Sequence, residues 1–375
     1  MVPELLHVGL LLLLLFIGGF IGHKLNIPDV IIFLAIGLIL SFSIQPSEVM
    51  SFAAELGIVL MFFMLGMEFP FHQLKRMALD IYKPGFLDLL LSFGITLLIS
   101  LLLKFDLPQS LLIGAVVYAT SSSITVKLLE KSKRMVKRDS DYLLGLLIFE
   151  DIISPILVVI VASIYIKGNV SIAELGVTGL EIIALIAGAL IIGKLIFSKA
   201  EAFIKQYIDE DFFVLFIVGV GILYGGVAVA MNLSEVFGAF LAGIMLAESK
   251  QAHNLQSIVR NLRDLLMPIF FIQFGMNIDV TQITMVPVLI IIIIWSIVAK
   301  VATGYFGGIQ YGLTKLESWR AGFSFTQRGE FSIIVASLGA EQIQTFSGIF
   351  ILCSAVIGVI LFQLSPKLAK RLKRG

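Results

Sequence analysis

The 375-residue chain has one cysteine, Cys353, and four histidines. A lone cysteine excludes an internal disulfide and a thiolate metal cluster. The histidines, at 7, 23, 72 and 253, are too dispersed to propose a metal centre. Charge is scarce as well: 14% of residues are charged, against about 25% in soluble domains. The formal net charge of +1 says nothing about partners, because nearly all the charges sit between hydrophobic blocks. No phosphate-cradling glycine loop, hydrolase elbow or zinc motif occurs. What takes their place is apolar. Hydrophobic residues make up 58% and mean hydropathy is +1.03. They fall in blocks such as Leu10–Phe16 and Leu289–Ile294. This excludes a soluble enzyme, a disordered chain and a secreted disulfide scaffold.

A helix needs about 20 mostly apolar residues to cross a bilayer. About thirteen segments qualify, read on that length rule. They run roughly 4–22, 28–44, 50–67, 84–103, 109–130, 141–166, 172–197, 212–230, 234–248, 264–280, 286–309, 318–338 and 346–365. The first lacks the basic flank and the small-residue cleavage site of a signal peptide, and reads as a span. With alternate loops on opposite sides, 21 of the 27 basic residues share one side and only Lys104 and Lys167 fall on the other. Short loops rich in Lys and Arg stay in the cytoplasm. The expectation is a cell-membrane protein with an odd number of spans, the N-terminus outside and the C-terminus cytoplasmic.

Two stretches repeat. Asn26-Ile27-Pro28-Asp29-Val30 leading to Gly37-Leu38 matches Asn232-Leu233-Ser234-Glu235-Val236 leading to Gly243-Ile244. Phe62-Phe63-Met64-Leu65-Gly66-Met67 matches Phe270-Phe271-Ile272-Gln273-Phe274-Gly275-Met276 at nearly the same offset. The copies lie an odd number of crossings apart and so run in opposite directions. Inverted repeats of this kind are the layout of many secondary transporters, which place the substrate near mid-membrane on broken helices.

The polar exceptions mark where chemistry can sit. Glu150 and Asp151 are adjacent, within the apolar run Leu143–Pro155. Such acids are expensive in a bilayer and mark ion or proton sites. A carboxylate is a hard oxygen ligand for a small cation and, out of water, also takes up a proton. One group that holds either ion, but not both, is the minimum chemistry of exchange. Adjacent helical residues point about 100° apart, so only one of the pair faces the ion squarely. Pro155 removes a backbone donor and frees the Asp151 carbonyl. Thr120, Ser121, Ser122 and Ser123 are four hydroxyl residues in a row, which packing between helices explains as readily as an unwound, ion-lining stretch. Gln327-Arg328-Gly329-Glu330 is equally polar at a similar offset, and mutual neutralisation of Arg328, Glu330 and nearby acids is its plainer role. Lys300 lies mid-segment and needs an acid partner: Glu150, Asp151 or Glu330. Asp88 and Glu181 are lone acids within spans, with no role assigned.

The acidic pair in Phe149-Glu150-Asp151-Ile152, the run Gln327-Arg328-Gly329-Glu330-Phe331 and the stretch Phe270–Asp279 resemble the second branch of the monovalent cation:proton antiporter superfamily. That branch includes Kef-type potassium-efflux and NapA-like sodium/proton antiporters. The resemblance spans essentially the whole chain. It implies an all-α polytopic membrane protein with inverted-topology repeats, the NhaA/NapA-like antiporter fold and two crossed broken helices. It implies a homodimer with a scaffold part at 1–70 and 212–280, a mobile ion-transport core at 84–166 and 286–365, and a linker helix at 172–197. Asp151 matches the aspartate that binds cation and proton in turn. Glu150 matches its preceding partner, Lys300 the lysine that pairs with that partner, and Thr120–Ser123 the hydroxyl-rich break. Arg328 and Glu330 are charge-pairing groups of the core. No cofactor is implied beyond the transported Na+ or K+ and H+. Partners are a second copy and membrane lipid, with no nucleic acid.

The chain also departs from its relatives. Electrogenic members usually carry Asp-Asp and Kef-type members Gln-Asp, where this chain has Glu-Asp. Kef-type members tend to have a small residue in place of Arg328, and they end in a nucleotide-binding regulatory domain that does not follow the basic tail Lys367–Gly375. Stoichiometry and the choice of Na+ or K+ stay open at this point. A cation channel or a non-transporting cation sensor uses similar groups, though channels favour rings of carbonyls or charges over a paired acid. An enzyme needs a nucleophile–base pair or a metal cluster at membrane depth, and the sequence offers neither.

Overall fold

In a computed structural model of the chain, the described residues are 4–25, 29–67, 81–167, 172–192, 210–231, 233–247, 252–279 and 285–373. The repeat openings at Asn26–Pro28 and Asn232 lie outside them, as do Lys75, Arg76, Lys199, Lys205, Lys250 and the last part of the expected linker, 193–197. So does the side chain of Ser123.

The described elements are helices, and the fold is all-α as the apolar blocks demand. They are α1 (Glu4–Leu25), α2 (Asp29–Leu40), α3 (Glu48–Met67), α4 (Tyr82–Leu102), α5 (Leu107–Tyr118), α6 (Ser122–Lys131), α7 (Arg138–Lys167) and α8 (Ile172–Ile192). Then come α9 (Glu210–Ala230), α10 (Glu235–Ala247), α11 (Ala252–Met276), α12 (Val286–Tyr311), α13 (Lys315–Phe323), α14 (Glu330–Ser337) and α15 (Glu341–Lys373). Among the described residues, five helices are long and apolar enough to cross a membrane by themselves: α3, α4, α7, α12 and α15. Several boundaries outrun the apolar segments. α11 begins at Ala252 rather than near residue 264, because helix continues through the polar turn holding Arg260, Arg263 and Asp264. A hydropathy window finds what fits in lipid, not where hydrogen bonding stops.

By contact the chain forms two units. One holds Met1–Gln45, Phe71–Leu157 and Phe274–Gly375; the other holds Pro46–Pro70 and Val158–Gln273.

In the second unit α3 and α10 cross glycine to glycine. A Cβ built on Gly243 meets the Gly66 Cα at 2.8 Å. Small residues let helix backbones approach in this way where lipid gives no hydrophobic drive. Tyr224 of α9 donates to the Leu185 carbonyl of α8 at 2.7 Å. In the first unit a Cβ on Gly275 would meet the Gly37 Cα at 3.1 Å. The sequence match equates Gly37 with Gly243 and Gly66 with Gly275.

The first unit carries one order of elements twice. A helix with a π-helical segment (α4, α12) precedes a broken helix (α5/α6, α13/α14) and then a long helix with an internal proline (α7 with Pro155, α15 with Pro366). The π segments are Leu89–Gly94 and Thr303–Gly307. A π turn disturbs the helical hydrogen-bond ladder and often marks a functional place. Here a side chain reaches into each: Trp295 Nε1 donates to the Leu91 carbonyl at 3.1 Å, and the Tyr142 hydroxyl to the Thr303 carbonyl at 3.0 Å. α12 ends on Gly312 with φ +91°, the left-handed stop that glycine suits. Thr314 and Glu317 then cap α13 reciprocally.

At one end of this unit Asp139, wholly buried, takes two guanidinium groups. Arg320 Nε and Nη2 donate to it at 2.6 and 2.5 Å, and Arg134 Nη2 at 2.8 Å. Arg134 Nη2 also reaches Ser324 Oγ and its Nη1 reaches Ser365 Oγ, both at 3.2 Å. The cluster ties the start of α7, the end of α13 and the C-terminal part of α15 together.

Candidate functional site

The site is built where the two broken helices meet. α5 ends at Tyr118 and α6 begins at Ser122, so the break is Ala119–Ser121. α13 ends at Phe323 and α14 begins at Glu330, leaving Ser324–Gly329 extended or turned. The two breaks pair as an isolated antiparallel bridge between Thr120 and Arg328, and Ser121 N donates to the Gln327 carbonyl at 2.9 Å. Side chains occupy further backbone groups. Ser332 Oγ donates to the Ala119 carbonyl at 3.2 Å, and Ser121 Oγ accepts from Ile124 N at 3.3 Å as the cap of α6. Out of water each bare amide or carbonyl costs several kcal/mol, on the order given for lipid. The serine and threonine run of the sequence satisfies that demand. Close approach also needs Gly329, since a Cβ there strikes the Ser121 side chain and comes within 3.0 Å of its Cα.

Glu150 and Asp151 sit in α7 beside this crossing and take different surroundings. Glu150 is buried at 1% exposure. Its Oε2 accepts the Thr120 amide at 2.8 Å, its Oε1 accepts the Thr120 hydroxyl at 3.1 Å, and Lys300 Nζ pairs with it. Asp151 is only partly buried and accepts the Ser122 hydroxyl at 3.5 Å, at the first turn of α6. The 100° turn between neighbours thus gives one locked acid and one that is partly exposed.

Lys300 of α12 is wholly buried and lies between Glu150 and Asp88, donating to Asp88 Oδ2 at 2.8 Å. Its ammonium also stands over the Phe325 ring at 4.6 Å and the Tyr118 ring at 5.2 Å. Of the three partners expected for Lys300, the structure brings Glu150 to it. Asp88 is the partner that the sequence reading left without a role. A single acid within the span of α4 was its signal, too weak without knowing that α4 packs on α12.

Arg328 is 1% exposed. Its Nη2 reaches the Ser296 carbonyl at 3.5 Å, while Nε and Nη1 meet no hydrogen-bond partner among the described residues. Its compensation is the field of the nearby Glu150 and Asp88 carboxylates. Glu330 opens α14, partly exposed, close enough to Asp151 to act on it electrostatically. Thr120, Ser121 and Ser122 therefore assemble at the crossing with Glu150, Asp151, Lys300 and Arg328.

A locked acid–base cluster beside a partly open carboxylate, held on two crossed broken helices, suits ion exchange. Comparison with known proteins decides the family. Residues 11–369 match the family described as sodium/hydrogen exchanger, transmembrane. The chain belongs to that family. It is thus a multi-pass membrane protein of the monovalent cation:proton antiporter superfamily, a transporter and not an enzyme, and its activity at that level is exchange of a cation for a proton. It is similar to the ammonium/H+ antiporter subunit AmhT of Alkalihalophilus pseudofirmus, 50% identical over 371 residues, with 99% of this chain and 95% of that one covered. It is 24% identical over 389 residues to the K+/H+ antiporter subunit KhtU of Bacillus subtilis, covering 98% of this chain and 95% of the relative. The solved sodium proton antiporter MjNhaP1 of Methanocaldococcus jannaschii superposes with a TM-score of 0.68 at 19% identity, covering 98% of this chain and 97% of that one. That likeness establishes the antiporter fold expected from the sequence.

Proposed function

We propose that this chain exchanges a monovalent cation, ammonium and potassium among its cargoes, for H+ across the cell membrane, with Asp151 holding cation and proton in competition. The observation that carries the proposal is the contrast between the two neighbouring acids. Glu150 already has three donors, whereas Asp151 stands partly open beside the Ser122 hydroxyl and the first turn of α6. An acid whose lone pairs are spent on the protein is a poor ion ligand. One that keeps them, beside hydroxyls, accepts a bare cation through its oxygens. Ammonium fits the same oxygens as a hydrogen-bond donor, and the 50% identical relative is named for ammonium, which supports its place among the cargoes.

The rest of the reading follows the same chemistry. The core at 84–166 and 286–365 carries Asp151 alternately to each side, against a scaffold formed by 1–70 and 212–280 and paired with a second copy. The concentration of basic residues in alternate loops supports an N-terminus outside and a C-terminus in the cytoplasm. Both curated relatives described above are named as subunits, which supports a separate partner subunit for this chain.

The test is purified full-length chain in liposomes carrying a pH-sensitive dye. Outward gradients of ammonium, potassium, sodium and lithium chloride are imposed in turn. Proton movement driven by potassium, or by ammonium beyond that of protein-free liposomes, supports the proposal. Cation flux without proton movement, with conductance in planar bilayers, would make it a channel; cation binding without flux would make it a sensor.

A further inference from the structure

Beside the crossing of the two broken helices, four charged side chains are wholly or almost wholly out of solvent: Asp88, Glu150, Lys300 and Arg328, apart from the buried Asp139–Arg134 pair described above. Two are acids and two are bases. Asp88 ends the first, α-helical part of α4, at the step into its π segment. Its Oδ1 accepts the Ser92 hydroxyl at 2.9 Å and the Thr303 hydroxyl at 3.1 Å, while Oδ2 takes Lys300 Nζ at 2.8 Å. Ser92 and Thr303 belong to the two π segments, so both helix irregularities of the first unit deliver a donor to this one carboxylate. Asp88 is thereby saturated and held, and it holds Lys300 in turn.

This arrangement constrains the exchange step. In a cluster with one acid per lysine, releasing that acid strands a buried ammonium, which then sheds its proton. Here Lys300 keeps a second carboxylate whatever Glu150 does. Glu150 in turn keeps both Thr120 donors and the field of Arg328. We propose that Asp88 is the resident counter-ion of Lys300, completing a neutral set with Glu150 and Arg328, so that cation and proton replace each other one for one at Asp151 and the exchange moves no net charge. Glu330 carries no proton in this scheme. The inference rests on the antiporter function proposed above and adds its stoichiometry and a positioning residue.

The test uses full-length protein, reading proton movement by dye in liposomes, net of protein-free controls, and charge movement as current across planar bilayers, after jumps of ammonium or potassium chloride. Wild type is expected to give the dye signal with no sustained current. Asp88→Asn leaves the set with one surplus positive charge and is expected to slow exchange at least about tenfold, a barrier change near 1.4 kcal/mol. Asp88→Asn with Lys300→Met restores neutrality and is expected to recover most of the rate, which a merely shape-filling Asp88 does not predict. Monodispersity and unfolding temperature in detergent confirm that each variant is folded. A sustained wild-type current alongside the dye signal overturns the proposal, and this arm needs no variant to fold. So does a folded Asp88→Asn at the wild-type rate, or a folded double variant no faster than Asp88→Asn. No dye signal from wild type is a different failure, that of the antiporter function itself.

Discussion

Lys300 and Asp88 stand 212 residues apart in sequence and meet at 2.8 Å, Nζ to Oδ2, with neither side chain exposed. One comes from α12 and the other from α4, the two helices that carry the π segments. Removing one member of a buried pair costs more than the pair contributes, about 3–5 kcal/mol. Lys300→Met therefore leaves Asp88 and Glu150 facing each other without their shared cation. The expected result is a marked fall in unfolding temperature in detergent, measured against wild type at the same pH.

Thr120 gives Glu150 both its amide and its hydroxyl. Thr120→Val keeps the amide and the volume but loses the hydroxyl donor to a charged acceptor, worth about 1.5–3 kcal/mol. Exchange is expected to slow roughly tenfold on the usual conversion, and the unfolding temperature in detergent is expected to fall with it. Rates per folded protein in liposomes check this.

Gly329→Ala pushes a methyl into Ser121 where the two breaks cross. Overpacking of this kind costs about 1–3 kcal/mol. Exchange should fall sharply. Adding Ser121→Gly removes the struck side chain, and the double variant should recover part of the loss, although Ser121 also caps α6.

The cap of α13 gives a pH signature away from the membrane core. Thr314 donates its backbone N–H at 2.9 Å and its hydroxyl at 2.8 Å to Glu317, which hold that carboxyl below its ordinary range. A depressed acid stabilises the fold above its unfolded value, about 4.3 for Glu, and that contribution is lost as pH falls through the folded value. Wild type should therefore exceed Glu317→Gln in stability at pH 7 by up to about 1 kcal/mol, the usual worth of a cap. Below about pH 4 the gap should close. Unfolding temperatures from pH 7 to pH 3 check it; a gap independent of pH would remove the role given to the charge.

Much of the site was legible in the chain because lipid makes polar residues conspicuous. The hydroxyls at 120–123 and the run 327–330 stood out as polar stretches, the family resemblance implied two broken helices there, and both breaks are present. The acids at 150 and 151 announced an ion site, yet their division into one locked and one open depends on which helix face meets Thr120. Asp88 escaped notice because one acid in a span has no local pattern; its meaning lies in the packing of α4 on α12. The π segments were invisible for a related reason. Trp295 and Tyr142 reach their carbonyls from neighbouring helices, which no periodicity encodes. The reach of α11 back to Ala252 was missed because hydropathy reports lipid contact rather than helix.

The central claim is that Asp151 is where cation and proton compete. The most direct measurement is ammonium- and potassium-driven proton movement in liposomes for wild type and Asp151→Asn, with folding of both verified. The amide keeps the size and one oxygen but neither charge nor a titrating proton. The account expects wild-type exchange and none above background from Asp151→Asn. Exchange by Asp151→Asn at the wild-type rate would contradict it.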